Sequence, residues 1–124
     1  MEYLADMDLY REQLLDHYRS PRNFGLAERF DRQERGHNPL CGDDLTVQLD
    51  VDKGMVTAMR FTGHGCAISI AAASLLSEVV VGKTVEEVSQ LQRGDVETLL
   101  GTTLPPVRLK CGLLALKAVQ VGLL

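Results

Sequence analysis

Residues 45–61 read LTVQLDVDKGMVTAMRF, and this stretch decides the fold. Apolar and polar residues alternate from Leu45 to Val51, which is typical of a strand with one buried face. Asp52-Lys53-Gly54 then provides a turn, and a second strand runs from Val56 to Phe61. Two such strands joined by a glycine-containing turn indicate a β-hairpin.

Helical patterns surround the hairpin. Before it, Asp8–Tyr18 is predicted to be a helix with Tyr10, Leu14 and Tyr18 on one face, stopped at Ser20-Pro21. After it, we predict helices over residues 67–81, 84–92, 95–101 and 106–121. The second of these begins with a Thr-x-x-Glu capping box, Asp95 is expected to cap the third, and Pro105-Pro106 precedes the last.

The order of these elements predicts an α+β fold in one domain, residues 1–124, with helices covering one face of a small antiparallel sheet of about three strands. Residues 27–37 are charged and show no apolar period. We therefore expect them to be a solvated segment with at most one short edge strand.

Composition excludes several function classes. A net charge of −4 over 124 residues argues against a nucleic-acid-binding protein, which would carry a basic stripe. No apolar run approaches the roughly 20 residues of a membrane-spanning helix, and the first residues lack the features of a signal peptide. The expected location is the cytoplasm, where three cysteines indicate thiols, metal ligands or nucleophiles rather than disulfides.

The three cysteines are isolated, and no Cys-x-x-Cys is present. Cys41 lies in a turn-forming stretch with Pro39 and Gly42, which is an unusual place for a core residue. Cys66 follows Gly63-x-Gly65 at a strand-to-helix junction, where glycines let the backbone approach a bound atom and the helix dipole favours a thiolate. Cys111 falls within the first turns of the last helix, with Arg108 and Lys110 nearby to stabilise negative sulfur.

Asp43 is expected to join the three sulfurs as a fourth, weaker ligand, because it lies two residues after Cys41. Asp44 competes for this role, but it is interpreted as the first residue of the strand. Zinc and iron–sulfur clusters both accept thiolate ligands. A carboxylate would bind less firmly and is the natural exchange position. His64 is a weaker candidate, and His17 and His37 are assigned no role.

At these residues the chain resembles the IscU/SufU/NifU-N family of iron–sulfur cluster assembly proteins, nearly from end to end. The stretches that carry the resemblance are Leu15-Asp16-His17-Tyr18, Pro21-Arg22-Asn23-Phe24-Gly25, Asn38-Pro39-x-Cys41-Gly42-Asp43, Phe61-x-Gly63-x-Gly65-Cys66-Ala67-Ile68-Ser69 and Arg108-x-Lys110-Cys111. The resemblance implies a helix-flanked antiparallel sheet with Cys41, Asp43, Cys66 and Cys111 at one exposed end. It also implies a cysteine desulfurase as partner.

Lys110 immediately before the last cysteine is a SufU-type feature, whereas the compact spacing from Cys66 to Cys111 is IscU-like. Leu104-Pro105-Pro106-Val107-Arg108 resembles the chaperone-recognition segment of IscU-type scaffolds. A double proline that starts a helix explains the same residues physically.

Three functions remain open from the sequence. The first is a scaffold that holds a transient [2Fe–2S] cluster on Cys41, Asp43, Cys66 and Cys111 and passes it to acceptor proteins. The second is a zinc-dependent sulfurtransferase in which Cys41, on its flexible loop, accepts persulfide sulfur. The third is a structural zinc domain, which explains four ligands but not a weak carboxylate in an exposed pocket.

Overall fold

The computed structural model describes the backbone of residues 2–124 and the side chains of residues 11–124. The strands are Arg32–Asn38 (β1), Asp43–Asp52 (β2) and Met55–His64 (β3). The helices are Glu2–Arg19 (α1), Ala67–Val79 (α2), Val85–Ser89 (α3), Arg93–Leu100 (α4) and Pro106–Gly122 (α5).

The three strands form an antiparallel sheet in the order β1-β2-β3. Lys53 and Gly54 connect β2 to β3 with φ angles of 51° and 78°, the two positive values that a type I′ hairpin turn requires. Leu45, Val47 and Leu49 share one face of β2 and are fully buried. The hairpin predicted from the alternating pattern is confirmed.

Helices cover that apolar face. α5 packs against β1 and β2, and α2 packs against β3 and α5. α1 and α4 pack against α2 rather than against the sheet. The predicted α+β fold, with helices on one face of a three-stranded antiparallel sheet, is confirmed. No helix among residues 2–124 is long and apolar enough to cross a membrane.

The other face of the sheet is less solvated than the sequence predicted. Gln48 points to this face, yet it is 1% exposed. Its side chain bonds the backbone N–H and C=O of Ala27 and accepts a hydrogen bond from Arg60. Part of the charged segment 27–37 therefore covers the sheet, and only its second half forms the predicted edge strand β1.

Two helix details also differ from the sequence expectations. In α1, Leu14 packs against the core but Tyr18 is 43% exposed, and buried His17 takes the inward position; Tyr10 lies outside the described side chains. His17 can be buried because its Nδ1 lies 2.7 Å from the Ser74 hydroxyl oxygen. In α4, Gln92 rather than Asp95 is the N-cap residue, and Asp95 completes a capping box from the first turn.

Candidate metal centre

Three separate segments meet at the end of the sheet where β2 begins and β3 ends. Cys41 lies in the turn between β1 and β2, and Asp43 is the first residue of β2. Cys66 is the N-cap residue of α2, and Cys111 is in the second turn of α5. The fold therefore collects residues that are up to 70 positions apart in the sequence.

The structure brings three of the four predicted ligands into direct proximity. One ligand atom each from Cys41, Asp43 and Cys111 lies within 4.8 Å of the other two. The Cys66 sulfur is not within that distance of all three. Cys66 is nevertheless adjacent, since its backbone N–H donates to Asp43 Oδ1 at 2.9 Å.

The ligand candidates differ in their access to solvent. Cys41 is exposed, Cys66 is half-buried, and Cys111 and Asp43 are both 0% exposed. A reactant arriving from solution meets Cys41 first, while Cys111 and Asp43 form the floor of the pocket.

The two oxygens of the Asp43 carboxylate differ in their hydrogen bonding. Oδ1 accepts the N–H of Cys66 and lies 3.3 Å from the Ser69 hydroxyl oxygen. Oδ2 is buried and has no hydrogen-bond partner among the described residues. A buried carboxylate oxygen without a donor costs free energy, and a cation held between Asp43 and the neighbouring thiols would offset that cost.

Cys111 does not gain the stabilising positive charge that the sequence suggested. Burial raises the pKa of its thiol, and the neighbouring Asp43 and Cys41 raise that pKa further. Arg108 and Lys110 are exposed, and neither contributes to the shift. The expectation that these two cations lower the pKa of Cys111 is wrong, because Cys111 points inward while its charged neighbours face solvent.

The two glycines before Cys66 allow close approaches between protein atoms. Gly63 has a φ of +138°, and a Cβ there would lie 2.0 Å from the Asp44 carbonyl oxygen. A Cβ on Gly65 would lie 2.3 Å from Ser69 Oγ and 2.6 Å from Asp43 Oδ1. The sequence predicted that these glycines let the backbone approach a bound atom; in the structure the atoms that approach are protein atoms of Asp44, Ser69 and Asp43.

Asp44 is placed away from the pocket. It lies on the opposite face of β2 from Asp43, where both its oxygens pair with the Arg35 guanidinium. This hydrogen bond lowers the pKa of the Asp44 carboxyl. Asp44 is also part of β2, whose first residue is Asp43, so the strand begins one residue earlier than predicted.

None of the three histidines belongs to the group of close ligand atoms. His37 and His64 are exposed on the outer face of the sheet, on either side of Asp44 in the register. His17 is buried between α1 and α2.

Two residues in contact with the ligands had no assigned role in the sequence analysis. Asn38 is buried, and its Nδ2 donates to Cys111 Sγ at 3.9 Å. Ser69 lies one helical turn after Cys66 and reaches Asp43. The one-turn spacing was visible in the sequence, whereas the contact of Asn38 with Cys111 spans 73 positions and required the fold.

The donor set fits a zinc ion or an iron–sulfur cluster. Three thiols and one carboxylate are ligands that zinc accepts in tetrahedral geometry, and cluster iron also prefers thiolates. Asp43 Oδ2 is the atom that such a metal would satisfy.

Residues 9–124 match the model of the NifU-like N-terminal domain. The chain belongs to this family. Its resemblance to the IscU/SufU/NifU-N group, drawn from short motifs, is thereby confirmed over nearly the whole length.

Relatives of this NifU-like domain include both SufU and IscU proteins. Zinc-dependent sulfurtransferase SufU of Bacillus subtilis (strain 168) is 32% identical over 140 aligned positions, covering 98% of this chain and 95% of SufU. The iron–sulfur cluster assembly scaffold protein IscU of Escherichia coli (strain K12) is 35% identical over 118 positions, covering 92% and 91%. The SufU alignment is longer than the chain, so SufU contains residues that this domain lacks.

A similar crystal structure supports the fold assignment. FiSufU of Fervidobacterium islandicum AW-1, assigned as an iron–sulfur cluster assembly scaffold for the SUF system, superposes with a TM-score of 0.78 at 28% identity. The match covers 91% of this chain and 95% of FiSufU.

Proposed function

We propose that this NifU-like domain is an iron–sulfur cluster assembly protein. It receives sulfur from a cysteine desulfurase and holds a transient [2Fe–2S] cluster on Cys41, Asp43, Cys66 and Cys111. One observation carries the proposal: Asp43 Oδ2 is buried without a donor, in a carboxylate that lies within 4.8 Å of Cys41 and Cys111 ligand atoms. Its relatives include the IscU scaffold of Escherichia coli.

Cys41 is the proposed sulfur acceptor. It is exposed, and Gly42 beside it has a φ of +72° in a turn with open space around it. The Cys41 thiolate attacks the terminal sulfur of the desulfurase persulfide. A new S–S bond forms on Cys41, the old S–S bond breaks, and the desulfurase cysteine leaves as a thiolate.

Cys66 and Cys111 are the proposed fixed ligands, and Asp43 is the proposed exchange position. Cys66 and Cys111 are held by helices, and Asp43 is held by its bond to the Cys66 N–H. The carboxylate is the weakest donor for cluster iron, so it is the position at which an acceptor ligand would enter first.

A zinc-dependent sulfurtransferase is the second candidate. SufU of Bacillus subtilis, which carries this name, is 32% identical to the chain. Zinc on the same four residues would keep the thiols deprotonated and hold the pocket together. Cys41 would accept sulfur by the same exchange. A purely structural zinc site is disfavoured because Cys41 is exposed, whereas such a site would need no accessible ligand.

Further partners follow from the same proposal. Acceptor proteins for the cluster would approach the exposed end at Cys41. Residues 104–108 are the proposed chaperone segment: Val107 is 77% exposed, whereas Leu104 is 1% exposed. The same residues also start α5, since Pro106 is its first residue. We place the protein in the cytoplasm, where a desulfurase would supply sulfur.

Two measurements separate the candidates. Anaerobic reconstitution with iron and sulfide that gives a visible absorption spectrum, and transfer of that cluster to an apo-acceptor, supports the scaffold. One tightly held zinc in protein that stimulates desulfurase turnover, with no transferable cluster, supports the sulfurtransferase. Protein that shows neither behaviour contradicts both.

Cys41→Ala tests the sulfur acceptor. We expect it to abolish persulfide formation on this protein, detected as a mass gain of one sulfur atom, while leaving the thermal unfolding of the metal-free protein unchanged. Leu40→Ala is the matched control, because Leu40 is 84% exposed in the same turn and carries no thiol. Undiminished sulfur acceptance by Cys41→Ala would remove Cys41 from this role.

A further inference from the structure

The two oxygens of the Asp43 carboxylate have different surroundings. Oδ1 accepts the Cys66 N–H at 2.9 Å and lies 3.3 Å from Ser69 Oγ, whereas Oδ2 has no hydrogen-bond partner within the part of the chain that the structure describes. We propose that Ser69 is a positioning residue, which binds Oδ1 and thereby directs Oδ2 to the metal ion or cluster. This inference rests on the metal site proposed above.

The hydroxyl proton of Ser69 has two acceptors within reach. The Cys66 carbonyl oxygen lies 3.0 Å away and Asp43 Oδ1 lies 3.3 Å away. The Cys66 carbonyl already accepts the backbone N–H of Ile70 as part of α2. A carboxylate oxygen is a stronger acceptor than a neutral carbonyl, which favours donation by Ser69 to Asp43 over donation to the nearer carbonyl.

The burial of Ser69 is consistent with this positioning role, because its hydroxyl does not face solvent. It is 0% exposed and lies in the first turn of α2, directly beneath the pocket. Gly65 leaves the space in which Ser69 and Asp43 meet, since a Cβ there would lie 2.3 Å from Ser69 Oγ. Three residues of the motif, Gly65, Cys66 and Ser69, therefore surround one carboxylate oxygen.

Two donors on Oδ1 fix the rotation of the carboxylate group. Oδ2 is then presented as a single-oxygen ligand, and a bidentate arrangement would break the bonds to Cys66 and Ser69. When the metal leaves, Oδ1 keeps both donors and Asp43 does not need to reorient. Ser69 thus allows Asp43 to release the metal and to bind it again without a change of side-chain conformation.

The experiment measures zinc affinity by competition with a chromophoric chelator. Loss of a residue that orients a metal ligand typically lowers affinity by about 10- to 100-fold. We expect Ser69→Ala to lose affinity in this range and to alter the visible absorption of the cobalt(II)-loaded protein, which reports ligand geometry. Ser77→Ala is the matched control, because Ser77 is also buried in α2 and also bonds a carbonyl three residues back, remote from the pocket.

A double-mutant comparison separates positioning from a general effect on α2. If Ser69 acts through Asp43, then Ser69→Ala has no further effect on zinc affinity in an Asp43→Ala background. Ser69→Thr, which keeps the hydroxyl, is expected to retain most of the affinity. Circular dichroism with chelator present checks that each variant folds, and alanine favours the helix more than serine does.

Each outcome decides a separate point. Parental affinity in Ser69→Ala, or the same loss in Ser69→Ala with and without Asp43, overturns the role of Ser69 while the metal site stands. Parental affinity in Asp43→Ala removes Asp43 from the ligand set, and the inference with it, whereas a parent protein that binds no zinc overturns the metal site itself.

Discussion

Gly65→Ala is the substitution that most directly tests the geometry of the pocket. The added Cβ would lie 2.3 Å from Ser69 Oγ and 2.6 Å from Asp43 Oδ1, where ordinary contact begins at 3.4 Å. Neither neighbour can retreat easily, because Ser69 and Asp43 are both 0% exposed. Overpacking of this kind typically costs about 1–3 kcal/mol. We expect a loss of that size in the free energy of unfolding of the metal-free protein.

The larger effect is expected on metal binding. Relief of the overlap displaces the Asp43 carboxylate from its place beside the Cys41 and Cys111 ligand atoms. Loss of a group that orients a metal ligand lowers metal affinity by about 10- to 100-fold, and we expect a displaced ligand to have an effect of similar size. Urea unfolding with chelator present gives the first quantity, and chelator competition for zinc gives the second.

Gly94→Ala is the control. Gly94 lies in α4, and a Cβ there would meet nothing within 4 Å. Alanine is the better helix former, so this variant is expected to gain up to about 1 kcal/mol of stability and to bind zinc as the parent does. The reasoning fails if Gly65→Ala shows parental stability and parental zinc affinity, because the close packing around Asp43 would then not exist in solution.

Two further predictions concern residues around the pocket and the helical layer. Asp44→Ala is expected to change zinc affinity by less than about twofold, far below the loss that a displaced ligand causes. The reason is that the Asp44 carboxylate is paired with Arg35 on the opposite face of β2. A large loss of affinity would instead assign Asp44 as the carboxylate ligand. Burial, then the charge of Arg22, lowers the pKa of His17 below 6.5, so the unfolded chain binds a proton at a higher pH than the folded one. Stability is therefore expected to fall as the pH drops below about 6.5, measured by urea unfolding, and this dependence should weaken in His17→Gln.

The sheet and most helices follow from local signals in the sequence. Alternation over β2, the Lys53-Gly54 turn and the Thr84 capping box each specify their element within a few residues, and each is present. The outer face of the sheet does not follow in this way. Gln48 has the polarity of a solvent-facing residue, but its partners at Ala27 and Arg60 lie 21 and 12 positions away.

The candidate metal site likewise has features that follow from local sequence and features that depend on the fold. The motifs around Cys41, Asp43, Cys66 and Cys111 predicted four candidate ligands, and the structure brings ligand atoms of Cys41, Asp43 and Cys111 within 4.8 Å of one another. The electrostatic surroundings of Cys111 could not, since its nearest charges along the chain face away from it. Charge near a buried thiol depends on the direction of the side chain on the helix, which sequence proximity to Lys110 does not reveal.

The convergence of three segments at one end of the sheet means that any ion held there links those segments. A bound ion removes conformational freedom from the rest of the chain much as a covalent cross-link does. Loaded and emptied forms of the protein should therefore differ in rigidity as well as in cargo. A partner protein could distinguish the loaded form from the metal-free form by the rigidity of the turn at Cys41 and of the start of α5, without contacting the metal.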